Sequence, residues 1–339
     1  MIKTDSRTSE LATKTGGNWK TIGGSKVLIG KGGKIIAGMG GKFANIADTK
    51  RASNGGFAFS DSGDFKKKLG AEKCAEMERL VSSSPVSGLW AKHADGVKIG
   101  DAEYKRGAHF DPNDNSIYFN KNNAKNDPYG TYRTITHEAS HAIDFKLGTE
   151  IYANGYGRTS YAAAYKRGAF DRALRNDVDE FCAKTKVRME AELKTMASKY
   201  KGTDKHREFT EELFVKGYID SSELFTTHAN LAKGKLPKVD KAAVHRAVSK
   251  EIMNEAGPNK CTSVSDIYGG ATGGGVDTGY GHAKSYWRNR DNLAIEAFAQ
   301  ISSAQISQRG EVAVIEKFLP NAYKVYNEMV ADMTAGNKA

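Results

Sequence analysis

The pattern of apolar and polar residues divides the chain into short strands near its start and long helices after residue 160. Short β-branched runs, separated by Gly-Gly pairs, predict three strands at 18–22, 25–29 and 34–37. They would form a small glycine-rich β module over 1–63, which is too small to bury much core alone. This module is therefore interpreted as an appendage or docking segment.

The remaining pattern predicts a larger domain over 64–339. Apolar residues at helical spacing indicate a helix over 64–83, and alternation over 97–120 favours strands around a turn. Charged, partly amphipathic stretches predict that 160–256 is mostly helical, and a glycine-rich segment follows at 268–281. Gly310 and Pro320 separate three final helices, predicted at 291–305, 310–318 and 321–334.

The clearest helix signals surround residues 127–148. Asp127 is a candidate N-cap, and Pro128 would occupy the first helical position. The helix is predicted to run to Leu147, with Gly148 as the left-handed residue that ends it.

This helix contains the sequence His137-Glu138-Ala139-Ser140-His141, which has the pattern H-E-x-x-H. Residues four apart share one face of a helix, so both imidazoles can bind one tetrahedral zinc ion. Glu138 points about 100° around the helix and could act as the general base for a water that the metal activates. The alternative is an exposed helix with two histidines that bind nothing.

A catalytic zinc site needs a third protein ligand and an open position. We favour Glu296, because a carboxylate in the apolar stretch 293–300 is costly unless it is paired or binds a cation. Glu150, just past the predicted helix end, is the alternative ligand. Asp144 is poorly placed as a ligand, and it could orient an imidazole or be a surface acid.

The aromatic, glycine-rich loop before Glu296 supplies candidates for oxyanion stabilisation. A histidine or tyrosine at the open side of the metal can donate to the negative oxygen of a tetrahedral intermediate. The candidates are His282, Tyr280 and Tyr286. Asp266 is assigned no catalytic role and is interpreted as the cap of a short helix.

The composition is that of a globular protein, with 39% hydrophobic and 27% charged residues. No stretch approaches the roughly 18 apolar residues of a membrane helix, and residues 1–7 lack the apolar core of a secretory signal. Three widely separated cysteines argue against a disulfide scaffold and favour a reducing compartment.

The net charge of +11, from 51 basic and 40 acidic residues, favours anionic partners. The basic residues are dispersed along the chain, and no nucleic-acid-binding motif accompanies them. Specific nucleic-acid binding is therefore not expected.

The H-E-x-x-H motif with the distant Glu296-Ala297-Phe298-Ala299 resembles the gluzincin zinc metallopeptidases. The string 137–144 also resembles the catalytic helix of anthrax-lethal-factor-like peptidases. Segments 265–269, 279–287 and 296–299 are similar to metallopeptidase domains of tailed phages and prophages, which often accompany head-morphogenesis proteins.

This resemblance implies a zincin-like α+β fold with zinc as the cofactor. His141 and Glu296 are 155 positions apart, which exceeds the spacing in most gluzincins, so 160–256 would be a helical insertion. Zincins present an edge strand beside the catalytic helix, and residues 116–120 are the candidate here. Backbone pairing on such a strand would hold a peptide substrate in an extended form.

The leading hypothesis is a zinc-dependent endopeptidase, phage or prophage encoded, that acts on a peptide or protein substrate in the virion or the bacterial host cytoplasm. Other virion proteins would be its partners. The alternative is a virion-associated structural protein whose zinc site is structural or vestigial. An injected effector that cleaves a host protein would use the same chemistry, so the sequence does not separate these roles.

Overall fold

The computed structural model describes residues 18–22, 25–29, 35–39, 59, 63–100, 108–120, 126–127, 130–152, 159–258, 260–307 and 310–336. Contacts within the chain divide it into two units, Met1–Gly56 and Phe57–Ala339.

The first unit contains an antiparallel sheet of three strands, β1 (Asn18–Ile22), β2 (Ser25–Ile29) and β3 (Ile35–Met39). β2 is the central strand, and its register with β3 shifts between Leu28 and Ile29. The prediction of three short strands in this region is confirmed. The residues between the strands lie outside the described part of the chain.

The second unit is mostly helical. Its described residues form thirteen α-helices: α1 Asp64–Leu69, α2 Ala71–Ser82, α3 Ser87–His93, α4 Arg133–Tyr152, α5 Tyr161–Ala164, α6 Ala169–Tyr200, α7 His206–Val215, α8 Leu224–Leu231, α9 Lys241–Ala256, α10 Thr262–Thr272, α11 Asn292–Ser307, α12 Glu311–Phe318 and α13 Pro320–Ala335. None of these helices is both long enough and apolar enough to cross a membrane. With the two small sheets, the fold class is α+β.

The helical region over 160–256 and the three C-terminal helices are confirmed. One detail of the prediction is wrong. The helix predicted over 64–83 is interrupted at Gly70, whose φ of 93° is incompatible with a continuous helix. The first glycines of the glycine-rich segment, Gly269 and Gly270, belong to α10.

A small mixed sheet in the second unit contains β4 (Lys98–Ile99), β5 (Ala108–Asp111) and β6 (Ser116–Phe119). β6 lies in the middle, parallel to β4 and antiparallel to β5. The expectation of an edge strand at 116–120 is therefore wrong, because β6 has a strand on each side. β5 is an edge strand of this sheet within the described residues, and it packs against α4.

Helix α4 begins later than the sequence predicts. Positive φ angles at Gly130 (138°) and Tyr132 (58°) interrupt the helical backbone before Arg133. Asp127 nevertheless acts as a cap, because its carboxylate accepts a backbone N–H of the first turn of α4. Pro128 lies outside the described residues.

Gly148 does not end the helix but lies inside it. A Cβ atom at this position would lie 2.0 Å from the carbonyl oxygen of Thr159 and 2.4 Å from the backbone nitrogen of Tyr161. The glycine therefore allows the chain before α5 to cross α4 in direct contact with its backbone.

We expect Gly148→Ala to lower the free energy of unfolding by about 3 kcal/mol, because the added methyl group overlaps backbone atoms. Gly269→Ala is the matched control, since a Cβ there lies 3.5 Å from its nearest neighbour, the carbonyl oxygen of Val276. Alanine favours a helix by about 1 kcal/mol over glycine, so the control should not be destabilised. Urea denaturation followed by circular dichroism measures both. Equal stability of the two variants would contradict the close crossing.

Helices α4 and α11 form the most extensive helix–helix contact in the second unit. Ala139 and Ala142 of α4, and Ala294 and Ala297 of α11, are each at most 1% exposed. Small side chains let two helix axes approach closely. This packing brings the H-E-x-x-H motif to the level of Glu296.

Candidate metal centre

Three polar side chains from α4 and α11 converge at this helix contact. The Nε2 atoms of His137 and His141 lie 3.1 Å apart. Oε2 of Glu296 lies 3.2 Å from Nε2 of His137 and 3.6 Å from Nε2 of His141. The structure thus brings together the three residues that the sequence proposes as ligands.

The spacing of these three atoms fits a tetrahedral metal site. Zinc bonds of about 2.0–2.1 Å to nitrogen and oxygen give a tetrahedron with an edge of about 3.3 Å. The observed distances, 3.1, 3.2 and 3.6 Å, lie around this value. Oε2 of Glu296 is buried and has no donor in hydrogen-bond geometry among the described residues. A cation would satisfy this oxygen, so the donor set fits a divalent metal.

The charges of the centre are strongly coupled. Burial lowers the pKa of His141, but the Glu296 carboxylate outweighs it and raises the value to about 9. Burial raises the pKa of Glu296, yet the imidazoles of His141 and His137 hold it well below its usual range. Without a metal, a carboxylate and an imidazolium therefore share the centre. A divalent cation would compete with this proton for the same lone pairs.

Glu138 lies beside the donor atoms and is not one of them. It follows His137 on α4, which directs it about 100° around the helix, and it is 8% exposed. Its charge raises the pKa of His141, although less than the charge of Glu296 does.

The second oxygen of Glu296, Oε1, faces two of the three residues predicted to stabilise an oxyanion. The hydroxyl of Tyr286 donates to Oε1, and Nε2 of His282 lies 3.9 Å from it. The rings of His282 and Tyr286 stack with centroids 4.1 Å apart. Burial and the Glu296 carboxylate raise the pKa of Tyr286, which keeps its hydroxyl protonated. Tyr280 instead lines the neighbouring cleft, and its carbonyl accepts from Ser265.

Asp266 holds His282 in place, a role that the sequence analysis missed. It lies inside α10 and does not cap a short helix, and it is 2% exposed. Its carboxylate lies 3.0 Å from Nδ1 of His282 and accepts the backbone N–H of His282 at 2.8 Å. Burial lowers the pKa of His282, but these contacts raise it above its ordinary value. Because Nδ1 of His282 is bonded to Asp266, the other ring nitrogen, Nε2, faces Glu296.

Arg133 and Gln300 complete this wall of the site and were also missed. Nη2 of Arg133 donates to Oε1 of Gln300 at 2.8 Å, and Nε of Arg133 pairs with Glu311 at 3.1 Å. The amide of Gln300 in turn donates to the Asp266 carboxylate at 3.0 Å. Spacing could have revealed both residues, because each lies four positions from a proposed ligand on the same helix face.

The alternative third ligands lie elsewhere. Glu150 is exposed near the C-terminal end of α4. Asp144 is not a surface acid, since it is 0% exposed and accepts the backbone N–H of Ala162 at 2.7 Å. It does not orient the imidazole of His141 either, because Nδ1 of His141 has no hydrogen-bond partner in the described part of the chain.

We expect Asp144→Asn to alter the pH dependence of stability and to leave zinc binding unchanged. Burial raises the pKa of Asp144 to about 6, against the lowering effect of its hydrogen bonds. The folded state therefore binds this proton more tightly than the unfolded chain. As the pH rises from about 4 to about 6, the wild type should lose roughly 1–3 kcal/mol relative to the variant.

Urea denaturation of both chains in the presence of a chelator measures this difference. A stability difference that stays constant with pH would contradict the raised pKa of Asp144. Loss of zinc from the variant would make Asp144 a candidate ligand again.

An open cleft of about 270 Å³ adjoins His137. It is lined by Arg133, Thr134, His137, Thr262, Asp266, Tyr280, Gly281, His282 and Gln300. Among the described residues, no fourth His, Cys, Asp or Glu joins the group of His137, His141 and Glu296. Three protein donors beside an accessible cleft are typical of catalytic zinc sites, whereas structural sites are closed by four.

Comparisons with protein-family models, with curated proteins and with solved structures find no match to this chain.

Proposed function

We propose that the protein is a zinc-dependent endopeptidase with a zincin-like fold, in which 160–256 is a helical insertion. The observation that carries the proposal is the convergence of Nε2 of His137, Nε2 of His141 and Oε2 of Glu296 within 3.1–3.6 Å. This donor set with an open side is the arrangement that hydrolytic zinc sites use.

Zinc bound by these three residues would polarise the substrate carbonyl and make a water nucleophilic at neutral pH. Glu138 would accept the proton of the attacking water and transfer it to the amine leaving group. His282 would donate to the oxygen that becomes negative in the tetrahedral intermediate, and Tyr286 would do so when its hydroxyl leaves Oε1 of Glu296. Asp266 holds the ring of His282 in the orientation that this role requires.

The resemblance to phage and prophage metallopeptidase domains supports a phage-associated role. Two of the segments that carry it, 265–269 and 279–287, contain the cleft residues Asp266, Tyr280 and His282. We therefore propose that the substrate is a virion or host protein, cleaved in the virion or in the host cytoplasm.

Metal analysis of the purified chain, paired with an unbiased peptide-cleavage screen, tests this function. The expected result is about one zinc per chain and cleavage that a chelator abolishes and added zinc restores. Tightly bound zinc without any cleavage would favour the alternative, a virion-associated structural protein. Absence of bound zinc would contradict the proposed function.

A further inference from the structure

Arg133 lies in the wall of the cleft, one helical turn before His137, and the proposed chemistry assigns it no role. Its side chain is only 4% exposed. Nε bonds to Glu311 at 3.1 Å, and Nη2 donates to Ser263 at 2.7 Å and to Gln300 at 2.8 Å. These bonds use one edge of the guanidinium and fix its plane.

The other terminal nitrogen, Nη1, carries two further N–H donors. It has no hydrogen-bond partner in the part of the chain that the structure describes. Nη1 is therefore not fully buried, since it is not one of the buried polar atoms without a partner. Because Arg133 lines the cleft, the cleft is the side from which a ligand would reach these donors. The hydroxyl of Thr134, which also lines it, donates to none of the described residues.

The acidic groups around Arg133 already have partners. Glu311 accepts from Arg133 and from the hydroxyl of Thr262 at 2.7 Å, and Asp266 accepts from His282 and Gln300. The N–H groups of Nη1 and the hydroxyl of Thr134 thus lie beside carboxylates that are already bonded. A guanidinium that is held in plane is suited to binding a carboxylate.

We infer that Arg133 binds a carboxylate of the substrate. The inference rests on the proposed function, because it places this carboxylate relative to the bond that is cleaved. Arg133 lies four positions before His137 on α4, a rise of about 6 Å. An extended peptide covers this distance in about two residues. The carboxylate is thus an Asp or Glu side chain, or the C-terminus of the peptide, within about two residues of the cleaved bond.

Two matched pairs of peptides, derived from a sequence cleaved in the screen, test the inference on the zinc-loaded wild type. One pair has Glu or Gln within two residues of the cleaved bond. The other pair ends there in a free carboxylate or a carboxamide. We expect kcat/KM to be about ten-fold or more higher for the carboxylate in one pair, since a hydrogen bond to a charged group contributes this much. The responding pair identifies the source of the carboxylate.

A binding measurement separates this inference from the proposed function. Small hydroxamates, whose arm ends in a carboxylate or in the matching carboxamide, are titrated into the zinc-loaded protein by calorimetry. We expect the carboxylate form to bind about ten-fold tighter. Arg133→Lys keeps a charge beside Glu311 but loses the planar fork, so both preferences should fall several-fold.

Equal kcat/KM within both peptide pairs, or equal affinity of the two hydroxamates, would overturn the inference even if the peptidase activity is real. Failure of both hydroxamates to bind would overturn it as well. If no peptide is cleaved but the carboxylate hydroxamate binds tighter, the peptidase proposal fails and the carboxylate site stands. The wild-type comparisons decide the matter alone if Arg133→Lys does not fold.

Discussion

Replacing Glu138 with glutamine is expected to lower kcat/KM for peptide cleavage by about 10²–10⁴-fold, while zinc content stays at about one per chain. Glu138 is the base in the proposed chemistry, and it is not one of the three converging donor atoms. Glutamine has nearly the same shape, so the packing at this site, which is 8% exposed, should be kept. Initial rates and metal content are measured on the same preparation.

Glu150→Gln is the matched control for this variant. It makes the same chemical change on the same helix, but at an exposed position near the end of α4. Its rate and zinc content should equal those of the wild type. If Glu138→Gln kept both its zinc and its full rate, Glu138 would not be the base. Loss of zinc from that variant would instead make Glu138 a ligand.

Features with a local cause could be predicted from the sequence. The two imidazoles share a face because they lie four residues apart on one helix. The last helices separate where predicted, because Gly310 has a φ of 81° and Pro320 occupies a helix start. The predicted C-terminal end of α4 is wrong because of a contact with residues farther along the chain. Gly148 accommodates a chain crossing, but in the sequence it looks like a helix stop.

Features that depend on contacts between residues far apart in the sequence are harder to predict. The cost of a buried carboxylate favours Glu296 as the third ligand over Glu150, but only the packing of α4 on α11 brings Glu296 to the histidines. The sequence analysis assigns Asp266 no catalytic role, although it is flanked by Val264, Ile267 and Tyr268. A buried carboxylate there is as costly as at Glu296 unless it has a partner. This cost therefore points to Asp266 as well as to Glu296, and Asp266 is the residue that holds His282.

Replacing Glu296 with alanine is expected to weaken zinc binding by more than about 100-fold. Loss of a residue that merely orients a ligand already costs about 10–100-fold in metal affinity, and this change removes one of three ligands. The imidazoles of His137 and His141 would remain, and two donors do not make a tight zinc site in a protein. Competition with a chromophoric chelator measures the affinity.

Glu150→Ala provides the control, because Glu150 is the rival ligand and is exposed on α4. We expect it to bind zinc as the wild type does. Glu296→Gln adds a second comparison, since the amide keeps an oxygen near Tyr286 but is a poorer zinc ligand than a carboxylate. If Glu296→Ala retained wild-type affinity while Glu150→Ala lost it, Glu150 would be the third ligand. The contacts of Glu296 with the two imidazoles, 3.2 and 3.6 Å, would then be an ion pair alone.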